Sequence, residues 1–166
     1  MLRPAIKYKE EIAKACIELY YTDSMFYYNG GLGFGPIDIL DHSDDGSRYQ
    51  FAIVDKDEKL AGYISYTVDF YNSVAWCFGL VSFDPGNPLI ASGVKDVINK
   101  IKKQHLHRIE FRCIGGNPVK RHYDSIINHY AKKFKGYYQI HHLKDVFKDE
   151  NGDYHDEFIY ELIFDN

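Results

Sequence analysis

The stretch from Val74 to Tyr130 constrains the fold of this chain more than any other part of the sequence. It contains a strand-like apolar run, a loop rich in Pro and Gly, an amphipathic helix, a second strand, and an Asn-Pro turn into another helix. A helix that connects two neighbouring strands requires those strands to run parallel in one sheet. It also brings a helix N-terminus beside a strand end, where an anionic group of a ligand can bind.

Length and composition predict one globular domain that covers residues 1–166. Of the 166 residues, 45% are hydrophobic and 27% are charged, and single domains are commonly about 100–150 residues long. Aromatic residues make up 16% of the chain, which suggests rings that line a pocket as well as a core. The net charge of −4 lacks the basic footprint of a nucleic-acid binder and favours a cationic small molecule or peptide as the partner.

Cysteine and histidine spacing indicates neither a disulfide nor a metal site. Cys16, Cys77 and Cys113 are far apart and lack C-x-x-C spacing, which predicts reduced, buried thiols. His141 and His142 are neighbours on a predicted strand and therefore point to opposite faces, so they cannot bind one metal together. No segment approaches the ~20 apolar residues that cross a bilayer, so we expect a cytoplasmic protein without membrane contact.

Hydrophobic periodicity and turn signals divide the chain into nine predicted elements. The run from Val74 to Phe83 is apolar on both faces, which predicts a central strand. The long connection 22–47 is expected to be functional, with a possible short helix from Ile37 to Asp41. The elements are a helix Lys9–Tyr21, a hairpin of strands Tyr49–Val54 and Leu60–Phe70, the strand Val74–Phe83, a helix including Val94–Ile101, the strand Arg108–Ile114, a helix including Val119–Tyr130, and a hairpin of strands Tyr137–Phe147 and His155–Phe164. They predict an α/β (α+β) fold with a mixed, mostly antiparallel sheet around one parallel β-α-β crossover.

This order of elements resembles the GNAT family of acyl-CoA-dependent N-acetyltransferases. The Asn-Pro turn before the helix with Tyr123 and the ending VFKDENGDYHDEFIYELIF carry the resemblance, which covers nearly the whole chain. The FKDxxGxYHDExIYxL pattern of the last hairpin is similar to the ribosomal-protein and polyamine acetyltransferase branch. The resemblance implies acetyl-CoA as co-substrate, no metal, and a primary amine of a small molecule or peptide as acceptor. A GNAT-shaped module without catalysis would instead be expected to form a homodimer through the aromatic-rich C-terminal strands.

The resemblance also implies a cofactor site along the central strand and the helix that follows. Free backbone groups of the strand would pair with the pantetheine arm, N–H groups near Val81 would polarise the thioester carbonyl, and Asn117 would reach the arm. The family's glycine-rich pyrophosphate signature is degenerate in PGNPLIASGVKD, where Ser92 could instead simply cap the helix. The residues expected to bind cofactor are Leu80, Val81, Ser82, Phe83, Leu89, Ile90, Ala91, Ser92, Gly93 and Asn117.

Two residues are candidates for proton transfer. Acyl transfer from a thioester needs a base for the amine and a proton donor for the leaving sulfur. Tyr123 resembles the family tyrosine that protonates the thiolate, although its helical spacing with Val119 and Ile127 is also that of a core residue. Glu110 is the only carboxylate inside a predicted central strand and is the candidate base, although its alternation with apolar neighbours also fits a solvated face.

The acceptor is expected near the first long connection. Phe26, Tyr27 and Tyr28 are candidate pocket walls, and the glycine-rich run Gly30–Gly35 is a candidate lid, since it lacks the context of a phosphate-binding loop. The acidic residues Asp38, Asp41, Asp44 and Asp45 are candidates for attracting a cationic amine, or are simply solvated. The alternative function is a GNAT-shaped interaction module without catalysis, motivated by the degenerate pyrophosphate loop.

Overall fold

The computed structural model describes residues 1–20, 26–29, 38–40 and 46–164. These residues form four helices and seven strands, together with a 3-10 turn at Ala5–Tyr8. The helices are α1 (Lys9–Tyr20), α2 (Phe26–Asn29), α3 (Pro88–Lys103) and α4 (Lys120–Lys133). The strands are β1 (Leu2–Pro4), β2 (Arg48–Val54), β3 (Leu60–Asp69), β4 (Val74–Ser82), β5 (Arg108–Ile114), β6 (Tyr137–Lys148) and β7 (Tyr154–Ile163).

The seven strands form one mixed sheet in the order β1-β2-β3-β4-β5-β7-β6. The β4–β5 pair is parallel and the five other pairs are antiparallel, because α3 connects β4 to β5 as a crossover. The predicted fold class and the central position of β4 are therefore confirmed.

Each face of the sheet carries its own apolar core. On one face, α3 and α4 pack on a cluster that includes Tyr66, Ile101, Ile109 and Tyr160. On the other face, Ile12 and Cys16 of α1 pack against Ala52, Val54, Tyr63 and Val81. Helices on both faces explain why β3 is buried along most of its length, although apolar and polar residues alternate in its second half, from Ile64 to Asp69.

The N-terminal region differs from the prediction in three places. β1 is too short to show a periodicity, and it forms by pairing Leu2 with Ile53 of β2. Residues 38–40 have no regular structure, so the short helix expected around them is wrong. A helical turn lies instead in the aromatic run at Phe26–Asn29.

The strands β4 and β5 pair only at their first residues and then diverge. Their register consists of Val74 with Arg108 and Ala75 with Ile109. A β-bulge in β4 follows at once, where Cys77 has a φ of +53°, a backbone conformation that L-residues rarely adopt. The bulge turns β4 away and opens a wedge between the two strands.

The bulge also exposes a cysteine that was predicted to be buried. Cys16 and Cys113 are buried as expected, but Cys77 is exposed. Burial raises the pKa of both Cys16 and Cys113 to about 11, because an apolar environment disfavours the thiolate. Neighbouring apolar residues in the sequence made Cys77 look buried, since a bulge leaves no mark in a hydrophobic pattern.

Candidate active site

The wedge leaves one edge of β4 without a partner strand beyond Ala75. The N–H of Phe83 donates to the carbonyl of Ala61 on β3 (2.9 Å), and the two strands stay in register upstream of that bond. Along an antiparallel ladder, residues bonded to the partner alternate with residues whose N–H and C=O point away. Val81 therefore also bonds to β3, while Leu80 and Ser82 turn their backbone groups to the wedge.

This alternation divides the four β4 residues that were predicted to bind cofactor. Val81 and Phe83 direct their backbone groups to β3, and their side chains belong to the α1-side core. Their backbone groups therefore cannot pair with a ligand lying in the wedge. An N–H that polarises the thioester carbonyl, which was expected near Val81, would have to belong to Leu80 or Ser82. The sequence does not show which residues of β4 turn their backbone groups to the wedge, because this depends on the register of β4 with β3.

Ser82 provides a polar side chain at the open end of the wedge. Its Oγ is buried and has no hydrogen-bond partner among the described residues. A buried hydroxyl without a partner costs free energy unless a ligand or water bonds to it. The Oγ therefore fits a polar group of a ligand bound along β4.

An apolar cleft fills the wedge on the α3 and α4 face. Its wall combines side chains from β3, β4 and β5 with side chains from both helices. Such a lining suits an uncharged ligand chain that has polar groups only at intervals. The lining residues are Ile64, Phe78, Leu80, Val94, Ile98, Phe111, Tyr123 and Ile126.

Tyr123 stands in this cleft between two aromatic rings. Its ring meets Phe111 edge-on with centroids 4.9 Å apart and Tyr160 with centroids 5.8 Å apart. Those contacts fix the ring by packing, while the residue stays partly exposed at the cleft. The core and catalytic interpretations of Tyr123 are therefore compatible. The core interpretation concerns the packing of the ring, whereas the catalytic interpretation concerns the hydroxyl.

The start of α3 differs from the arrangement that a pyrophosphate requires. Asn87 caps the helix, since its Oδ1 accepts the N–H of Leu89 (2.9 Å) while its carbonyl accepts that of Ile90 (3.1 Å). Pro88 contributes no N–H at the first helical position. Asp84 lies beside the cap and accepts from the Asn87 amide (2.9 Å), adding a carboxylate where a phosphate would need positive charge.

Ser92 and Gly93 lie inside α3 rather than at its end. Ser92 is exposed in the second turn, so it is not the cap. Gly93 is buried against β2, and a Cβ there would come within 2.8 Å of Ile53 Cδ1. The glycine allows the helix to approach the sheet closely, which is a packing role independent of any phosphate. Of the other residues in this predicted site, Leu89 and Ile90 are partly buried and Ala91 is exposed.

Asn117 lies in the turn between β5 and α4. Its Oδ1 accepts the N–H of Val119 (3.0 Å) and its carbonyl accepts that of Lys120 (3.0 Å). The side chain thus shapes the turn at the start of α4. Only its amide nitrogen is left to serve the ligand contact that the resemblance implies.

Glu110 lies on the face of β5 opposite to Phe111. Its Oε1 accepts from Arg112 (3.0 Å), and Arg112 also reaches Glu157 (3.5 Å). On the same face, Glu161 bonds to Arg108 (2.7 Å). Glu110 is therefore neither solvated nor isolated, since its side chain is only 17% exposed within a row of alternating charges.

The aromatic turn α2 comes close to this part of the sheet. Phe26 packs on the ring of His155 with centroids 4.7 Å apart. At the β5–α4 turn, a Cβ added to Gly116 would lie 3.2 Å from the Tyr27 hydroxyl. The side chain of Tyr28, the run Gly30–Gly35, and Asp41, Asp44 and Asp45 lie outside the described residues, while Asp38 is exposed.

Sequence reasoning missed Trp76, which is the only tryptophan of the chain. It follows Ala75, the last residue of β4 that pairs with β5, and it is 45% exposed. Its apolar neighbours in the sequence suggested a buried residue. The sequence carried no signal for its exposure, because the bulge that follows it leaves no mark in a hydrophobic pattern.

Neither a metal site nor a membrane-spanning helix occurs in the parts of the chain that the structure describes. Within them, no group of three or more His, Cys, Asp and Glu residues is arranged to hold a metal ion. None of the helices at these positions is long and apolar enough to cross a bilayer.

Solved N-acetyltransferase structures have the same architecture. A ribosomal-protein-alanine N-acetyltransferase from Brucella melitensis matches with a TM-score of 0.67 at 14% identity, over 99% of each chain. An N-acetyltransferase from Staphylococcus aureus Mu50 matches with a TM-score of 0.66 at 14% identity, over 98% of this chain and 97% of the other. Mutant forms of the spermidine/spermine N-acetyltransferase from Vibrio cholerae reach 0.57 at 17% identity, over 72% and 66%.

Comparisons with protein-family models and with curated protein sequences find no match. The likeness therefore lies in the path of the chain, with its central parallel pair and wedge, rather than in shared residues. The chain has the fold of the GNAT N-acetyltransferases.

Proposed function

We propose that this protein is an N-acetyltransferase that moves an acetyl group from acetyl-CoA to a primary amine of a small molecule or peptide. The observation that carries the proposal is the wedge between β4 and β5. It combines an unpaired strand edge, an apolar cleft and a carboxylate on the opposite face of β5. We also propose the cytoplasmic location that the sequence predicts.

The residues of the wedge fit the pantetheine arm of acetyl-CoA. Leu80 and Ser82 offer outward N–H and C=O groups to an amide-containing chain, as in the addition of a strand to a sheet edge. The Ser82 hydroxyl adds a buried polar group without a partner. When bound, acetyl-CoA supplies an acyl group activated as a thioester.

Glu110 and Tyr123 complete the proton transfers in this mechanism. The acceptor arrives as an ammonium ion, and Glu110 takes a proton from it directly or through a water. The amine nitrogen then bonds to the acyl carbon, loses its second proton to solvent, and the carbon–sulfur bond breaks, with an outward N–H of β4 stabilising the developing oxyanion. Tyr123 donates a proton to the departing sulfur and regains one from solvent.

Calorimetric titration with acetyl-CoA and with free CoA tests the proposal. A formed site should bind near micromolar, about −8 kcal/mol. The matched variant Ser82→Ala should weaken binding of both ligands by about 0.5–1.5 kcal/mol if its Oγ bonds to the arm. Binding of neither ligand to the unmodified protein would overturn the proposal.

The second candidate is a GNAT-shaped interaction module without catalysis. The start of α3 favours it, because Asn87 caps the helix and Asp84 lies where a phosphate would bind. This candidate predicts no heat of binding with acetyl-CoA. The same calorimetric titration therefore separates the two functions.

We further propose a homodimer formed through β6. This outermost strand is exposed from Tyr137 to Val146, and its first seven residues, YYQIHHL, carry neither Lys, Arg, Asp nor Glu. Charges usually protect a long edge strand from pairing with another chain. Antiparallel pairing of two copies about Ile140 would place uncharged residues opposite each other. Light scattering should give twice the chain mass, and Ile140→Lys should give the monomer.

A further inference from the structure

Trp76 and Glu110 are neighbours at the point where the wedge opens. The register of the parallel pair ends with Ala75 opposite Ile109, so the next residues of the two strands are Trp76 and Glu110. Both Ala75 and Ile109 are fully buried in the core on the α3 and α4 face. Because side chains alternate along a strand, Trp76 and Glu110 both project from the opposite face.

The exposure of Trp76 is unusual for its position. Trp76 is the third residue of β4, which is the fourth of seven strands, and the two residues before it are buried. The indole is nevertheless 45% exposed, whereas Val81, further along the same face, is packed under α1. The described residues therefore leave the face of the sheet open above Trp76, beside the wedge.

The charges around this opening leave one carboxylate oxygen for a ligand. Glu161 already contacts both Arg108 and His141, at 2.7 Å each. Glu110 contacts Arg112 through Oε1 alone, so its Oε2 can accept from a further donor. The row holds three carboxylates, those of Glu110, Glu157 and Glu161, beside two guanidinium groups and His141, so it has no excess of positive charge that would repel a cation.

We propose that Trp76 and Glu110 form the ammonium subsite for the acceptor, with the cation held between the indole face and the carboxylate. This inference rests on the proposed acetyltransferase function and assigns its acceptor class, a primary ammonium on an aliphatic chain. A cation over an indole ring is attracted by the negative face of its π-system. Trp76 is the specificity-determining residue of this pair, and Glu110 is the base that then takes the proton.

The single tryptophan makes the subsite directly observable. Spermidine and n-butylamine should each produce a saturable change in the intrinsic tryptophan fluorescence of the full chain. The matched alcohol n-butanol should produce none at equal concentration, since it has the same carbon chain without the charge. Glu110→Gln should weaken the response to the two amines while keeping the indole signal.

Steady-state kinetics supply an independent test. Trp76→Ala should raise the acceptor KM about fivefold, in line with a cation–π contact of about 1 kcal/mol, and leave the acetyl-CoA KM unchanged. Trp76→Phe should recover most of the loss because it keeps an aromatic face. Tyr71→Ala removes another exposed aromatic ring, 96% exposed in the adjacent hairpin, and should have no effect.

The outcomes separate this inference from the proposed function. Fluorescence that ignores both amines, an equal response to n-butanol, or an unchanged acceptor KM in Trp76→Ala would overturn the subsite. Failure to bind acetyl-CoA by calorimetry would overturn the acetyltransferase function instead. A fluorescence response to the amines would in that case still establish the subsite as an ammonium site.

Discussion

The two faces of β5 differ in nearly every physical property although they belong to one seven-residue strand. On one face, Ile109, Phe111 and Cys113 are between 0% and 8% exposed and pack under α3 and α4. On the other face, Glu110 and Arg112 form an ion pair beside an opening in the sheet. One face therefore contributes to stability and lines the cleft that we propose for acetyl-CoA, and the other carries the subsite that we propose for the acceptor.

This contrast shows how a sheet can position two substrates at once. Because successive side chains point to opposite faces, a ligand chain in the wedge and an acceptor on the charged face approach from different sides. The wedge is where the two sides connect, since β4 and β5 are not bonded there. The predictions below separate the contribution of each face.

The largest effect is expected on the apolar face. Phe111→Ala removes a ring that stacks on Tyr160 (5.1 Å between centroids) and also contacts Tyr123. It should lower the free energy of unfolding by about 3–5 kcal/mol in urea denaturation. Glu110→Gln, on the opposite face of the strand, should cost below about 1 kcal/mol. Equal losses for the two variants would contradict the division of β5 into two roles.

Tyr123→Phe should separate packing from chemistry at the cleft. The ring contacts remain, so the free energy of unfolding and the acetyl-CoA affinity should change little. Turnover should fall at least tenfold, about 1.4 kcal/mol in the barrier, because the proton donor for the sulfur is lost. Unchanged turnover would assign Tyr123 to the core alone.

Asn87→Ala should test whether the start of α3 is closed to phosphate. Loss of the cap should cost about 1 kcal/mol of stability, while CoA affinity should not fall, because the Leu89 N–H becomes available. Thermal unfolding and calorimetry measure the two effects. Ser92→Ala is the control within the same helix and should stay within about 0.5 kcal/mol for stability. A tenfold drop in CoA affinity for Asn87→Ala would show instead that Asn87 itself contacts the ligand.

The smallest effect on the protein is expected at Cys77. Cys77→Ser should change stability by less than about 0.5 kcal/mol, since the side chain is exposed. At pH 8 a thiol reagent should modify one cysteine rapidly in the native protein and none in this variant. Cys16 and Cys113 stay protonated at pH 8, because their pKa is raised to about 11. Rapid modification of more than one thiol would contradict the buried positions of Cys16 and Cys113.

Much of the fold could be predicted because it depends on local patterns. The helical spacing of Val97, Ile98 and Ile101 and the boundaries of β5 agree with the structure. β1 was missed because three residues show no period, and the short helix was misplaced because the aromatic run has no polar face. For the candidate site, sequence reasoning identified Glu110 and Tyr123 but missed Trp76, whose exposure depends on what covers it.

The sequence by itself determined the order of the longer helices and strands, the parallel crossover, and the alternation that separates Glu110 from Phe111. These follow from the periodicity of side chains and from the short reach of the connecting segments. Only the tertiary structure decided that Leu80 and Ser82 rather than Val81 face the wedge, and that Trp76 is open to solvent. Both depend on β4 pairing with β3 on one side and diverging from β5 on the other. Hydrogen-bond phase and burial are properties of neighbouring strands, and no single strand encodes them.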